Sequence, residues 1–70
     1  MTRYLVIYEQ GPDSWGAYSP DLPGCIAAGS SREEVEQLMR EAVEAHIDIL
    51  RSEGLAVPAP VSFSGYVAAA

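Results

Sequence analysis

The side chains best suited to chemistry are scarce in this chain: one histidine, His46, and one cysteine, Cys25. A catalytic imidazole needs a carboxylate or a nucleophile within reach. The nearest acids, Glu44 and Asp48, sit two residues to either side, a spacing that points them away from His46 on a helix. His46 is therefore expected to be structural. Cys25 follows Pro23-Gly24 and has no basic neighbour to stabilise a thiolate, so it is expected to be a small buried residue. One His and one Cys do not make a zinc site, and a single Cys rules out an internal disulfide.

The ten acidic residues invite comparison with two-metal nucleases of the ribonuclease-H type. Those enzymes need several carboxylates converging on the metals, one of them on the first strand. The first strand-like run here, Tyr4-Leu-Val-Ile-Tyr8, has no acid before Glu9, and the last, Val61 to Val67, has none. Gly-rich phosphate loops and paired-His metal motifs are absent as well. The expectation is a protein that is not an enzyme and uses no cofactor and no metal.

Binding is the chemistry that remains. Tyr18-Ser-Pro-Asp-Leu-Pro-Gly-Cys25 is a rigid connector: Pro20 and Pro23 cannot donate to a sheet ladder, and Gly24 tolerates backbone angles other residues resist. Asp21 and Leu22 fall at its tip, where Leu22 is expected to be exposed, and Trp15 and Tyr18 approach it. Aromatics beside a rigid corner are frequent interface anchors. With the nearby acids they make a candidate partner-binding set: Asp13, Trp15, Tyr18, Asp21, Leu22, Glu33 and Glu34.

The net charge of −6, with no lysine, argues against direct nucleic-acid binding, whose affinity comes from Lys and Arg on phosphates. It favours a basic partner. No apolar run approaches the ~20 residues of a membrane span, and no leader with a small-residue cleavage site precedes the first strand. A reduced, cytoplasmic protein is expected. Seventy residues make a single domain, 1–70, and a chain this short buries only roughly 60 % of its unfolded surface. A homodimer or higher homo-oligomer would add to that core.

The elements follow from pattern. Tyr4 to Tyr8 is β-branched and aromatic, with both faces apolar, and is expected to be a central strand. A turn at Glu9 to Ser14 returns Trp15 to Ser19 antiparallel. Cys25 to Ala28 is a short third strand. Ser31 and Glu34 are spaced as a capping box, Glu33 and Glu34 suit the positive helix start, and Gly54 is the expected stop, so a helix runs from about Arg32 to Glu53. Glu36 and Arg40 are spaced as an i,i+4 ion pair. Pro58 and Pro60 keep Leu55 to Pro60 extended, and the alternation of Val61, Phe63, Gly65 and Val67 predicts a final strand. The fold class is α+β, β-β-β-α-β, with one helix on one face of a mostly antiparallel sheet. The second sheet face is left for a twin or a partner.

Trp15-Gly-Ala-Tyr-Ser-Pro-Asp-Leu-Pro-Gly-Cys25, followed by Gly29-Ser-Ser-Arg-Glu-Glu-Val35 and by Gly54-Leu-Ala-Val-Pro-Ala-Pro60, resembles the HicB antitoxin family over nearly the whole chain. The resemblance implies a partial ribonuclease-H-like fold without the catalytic acids. It also implies an antitoxin function: binding and blocking a HicA-like toxin, a small basic mRNA-cleaving protein. Many family members carry a further C-terminal DNA-binding domain, and this chain resembles a short form without one. The alternative function is a stand-alone oligomeric scaffold, or a small-ligand-binding protein, on the same fold.

Overall fold

In the computed structural model, which describes residues 2–70, three short strands and one long helix form in the expected order. β1 is Ile7–Gln10, β2 Trp15–Tyr18 and β3 Ile26–Gly29, and α1 is Arg32–Ser52. The strands make an antiparallel sheet in the order β1-β2-β3, with α1 packed against β2 and β3. This is an α+β fold.

Register sets which side chains reach the helix. Tyr8 lies opposite Ala17 and Ala17 opposite Ala27, while Ile7 lies opposite Tyr18 and Tyr18 opposite Ile26. Successive residues of a strand face opposite ways. Tyr8, Ala17 and Ala27 thus share the face under α1, and Ile7, Tyr18 and Ile26 form a row across the other. Small residues at 17 and 27 let the helix approach closely. The fully enclosed core is Ala17, Leu22, Cys25, Val35 and Met39, with Tyr4, Val6, Tyr8 and Trp15 packed around it.

The helix begins as its sequence signals require. The Ser31 hydroxyl accepts the Glu34 N–H at 3.1 Å, and the Glu34 carboxylate accepts the Ser30 N–H at 2.7 Å. The reciprocal bond thus reaches one residue before the cap. Gly29 makes room for this: a Cβ there would run into the Glu34 carboxylate and lie 3.1 Å from Val35 Cγ2. At the other end, Gly54 has φ +70°. The Leu55 and Gly54 N–H groups bond the Leu50 and Arg51 carbonyls at 2.8 and 3.1 Å, which is the Schellman arrangement. Glu36 pairs backwards with Arg32, at 3.9 Å, and not with Arg40, whose Nε contacts Gln37.

Two expectations about the strands are corrected. β1 is an edge strand and β2 the centre, because the hairpin and the Pro corner each pair only neighbours in sequence. The expected final strand does not pair within the chain. Residues 61–67 form no strand, and Phe63 and Val67 are 91 % and 95 % exposed. Alternation supplies the side-chain pattern of a strand, but a strand also needs a neighbour for its backbone groups. Tyr4 and Val6 still turn toward the core as their alternation requires, although backbone pairing begins only at Ile7.

Candidate partner-binding site

The Pro corner is held from inside. The Ser19 N–H bonds the Cys25 carbonyl at 3.2 Å and closes the loop, and within it the Leu22 N–H bonds Ser19 and the Cys25 N–H bonds Leu22. The buried Ser19 hydroxyl donates to the Leu5 carbonyl at 2.9 Å, tying the corner to the chain entering β1. Gly24, with φ +85°, sits in the left-handed region that a residue with a Cβ resists.

Leu22 is 0 % exposed, which corrects the expectation that it projects from the loop tip. Two prolines shorten the corner so that the loop folds over the sheet end, and Leu22 is the one large apolar residue there to fill the space above Val35 and Met39. It shapes the surface without being part of it. Cys25 is buried as expected, and burial pushes its thiol pKa up. It is therefore a weak nucleophile.

Asp21 stays near the surface but is already engaged. One carboxylate oxygen accepts the Ser62 and Val61 N–H groups at 2.9 and 3.1 Å, and the other accepts the Ser62 hydroxyl at 2.9 Å. The Ser62 N–H is the main cause of a carboxyl pKa lowered from 3.8, with the Ser62 hydroxyl and the Val61 N–H adding to it against a partial desolvation. A second tether lies close by, where the Tyr4 hydroxyl donates to the Pro58 carbonyl at 2.6 Å.

The remaining members of the candidate set fall at the two ends of β2. Trp15 pairs with Gly29 and Gln10, which puts it beside the helix start with Glu33 and Glu34 and next to the turn carrying Asp13. Asp13 and Glu33 are exposed, Glu34 is exposed but bonded to Ser30, and Trp15 is half-buried against the core. Tyr18 lies at the other end, with Asp21. The two groups are about 10 Å apart along the strand. Between them runs the uncovered sheet face, where Tyr18 (39 % exposed) stands between Ile7 and Ile26 (69 % exposed). Ile7 and Ile26 were not singled out from the sequence; alternation alone points each to a face, but only register lines them up.

His46 is half-buried. Among the described residues no three His, Cys, Asp or Glu side chains converge as a metal site. No helix among them is long and apolar enough to cross a membrane. A groove of about 870 Å³ separates the second half of α1, at Val43 and Ile47, from Tyr4 and the Val57–Pro60 connector.

One family model, described as HicB-like antitoxin of bacterial toxin–antitoxin system, matches residues 4–70. No curated protein and no solved structure matches the chain.

Proposed function

Because the chain belongs to the HicB-like antitoxin family, we propose that it acts by binding a HicA-like toxin, a small basic mRNA-cleaving protein, and holding it inactive. The reading has the chain act in the cytoplasm by occlusion, without catalysis, cofactor or direct nucleic-acid contact. The observation that carries it is the uncovered sheet face: an apolar row with Tyr18 at its centre, with the exposed acids Asp13, Glu33 and Glu34 at one end of β2 and the half-buried Asp21 at the other, on a chain of charge −6.

Each residue has a part in this reading. Tyr18 is the anchor, an amphipathic ring that buries apolar area and keeps a hydroxyl for the rim. Ile7 and Ile26 extend its dry contact. Asp13, Glu33 and Glu34 supply negative potential at the hairpin end, and Asp21 at the corner end, which steers a cationic partner and disfavours the wrong one. Trp15 and Leu22 act from beneath, holding the hairpin end and the corner in shape. A standard interface covers about 800 Å² per partner, enough to span both ends of so short a sheet.

The test is co-purification with a small basic HicA-like toxin, at low and high salt, for the native chain, Tyr18→Ala and Glu33→Lys. Both variants are expected to lose the toxin, Glu33→Lys most clearly at low salt. Glu33 is the better charge reversal, because changing Asp21 also releases the Ser62 contact. Retention of the toxin by both variants would place the interface elsewhere. The groove beside α1 supports the second reading, a small-ligand-binding or scaffold role, and a small molecule co-purifying with the toxin-free chain would favour it.

A further inference from the structure

The chain from Leu55 to Ala70 contains no charged side chain, in a protein of net charge −6. It also holds the most exposed large apolar residues of the molecule, Phe63, Val67 and Tyr66, the last fully exposed, with Val61 close behind. Large apolar residues clustered on one exposed segment mark a contact surface. The segment is not free along its whole length. Tyr4 holds Pro58, and Asp21 holds Val61 and Ser62, so it leaves the body of the fold at a defined place. That place adjoins the chain leading into the edge strand β1: Ser62, Phe63 and Ser64 line an open cleft of about 510 Å³ with residues 3–6 and Tyr8. Among the described residues no backbone hydrogen bond crosses it.

Each copy thus carries one strand-patterned segment without a sheet neighbour and one sheet edge without a strand. We propose that two copies satisfy each other: residues 61–67 of one chain pair with the β1 edge of a second copy, and the reverse. Such a reciprocal exchange closes with two-fold symmetry and leaves neither an open edge nor an exposed apolar segment at that place. The absence of charge selects the occupant. A cationic partner gains nothing from a neutral segment, whereas between two chains of charge −6 a neutral, apolar seam is where repulsion is least. The inference concerns self-association and does not rest on toxin binding.

The test combines sedimentation equilibrium with isotope-filtered nuclear Overhauser spectroscopy on a mixture of labelled and unlabelled full-length chain. The expected results are a mass twice the 7.5 kDa of one chain and inter-chain contacts from the Phe63 ring to residues 4–8. Phe63→Asp combined with Val67→Asp, at positions the core does not use, is expected to give a folded monomer with unchanged helix content. Three results would overturn the inference. They are a native chain that stays monomeric at the concentrations used for spectroscopy, contacts from Phe63 to residues 4–8 only within one chain, or a dimer that survives the double substitution intact.

Discussion

Leu22 and Asp21, adjacent in sequence, do opposite things, and the difference is one of local reach. Leu22 turns into the space over Val35 and Met39 and is fully enclosed there. Leu22→Ala is expected to cost about 2–5 kcal/mol, the range for emptying an enclosed leucine site. That is a large share of the stability of a domain this small, and a thermal or denaturant unfolding curve reads it directly. Asp21 turns outward and collects three donors from residues forty positions later. Its pKa is lowered in the fold, so the contact contributes fully at pH above the ordinary carboxylate value. That contribution is lost as pH falls below about 4, through the lowered folded value. Acid titration followed at the Val61 and Ser62 amides is expected to show their resonances moving together in that window, and Asp21→Asn to leave them in the released position throughout. Burial of Cys25 was readable from the absence of any basic neighbour. Enclosure of Leu22 was not, because a loop tip between prolines carries no periodicity to show which way it faces. The Asp21–Ser62 contact was beyond reach for a different reason: nothing local in either segment encodes a bond across forty residues.

The helix is the element most fully written into the sequence. Its cap, its first-turn acids and its stop glycine are all local signals, and it spans Arg32–Ser52 against an expected Arg32 to Glu53. Ser31→Ala is expected to cost about 1 kcal/mol, read as a lower melting temperature with the helix start fraying first in amide exchange. The strands were legible in kind but not in partnership. Alternation puts Ala17 and Tyr18 on opposite faces, and only register shows that Ala17 joins Tyr8 under the helix. It could not tell that β2 would be central, since centrality belongs to the sheet and not to any one segment. Residues 61–67 make the same point: the strand pattern is present, and the neighbour is missing within the chain. If the exchange between copies holds, the neighbour is supplied by concentration, and amide protection in residues 61–67 is expected to appear only where the dimer does.

At the scale of the molecule, four-residue strands under a 21-residue helix leave one sheet face open and give the protein little enclosed core. The open apolar row lies on the face away from α1, and exposed acids such as Asp13 and Glu33 lie at the hairpin end of β2. The fold class and the family were legible in the sequence, because the paired motifs around the Pro corner and the capped helix are local. The binding face was legible only as an uncovered face, since its centre, the Ile7–Tyr18–Ile26 row, is a product of register. Titration of the purified chain into a small basic HicA-like toxin, at low and at high salt, tests the central claim most directly. The account predicts a stoichiometric complex that abolishes mRNA cleavage and weakens by about tenfold or more as salt screens its charges. No complex, or a complex of equal affinity at both salts that leaves cleavage intact, would contradict it.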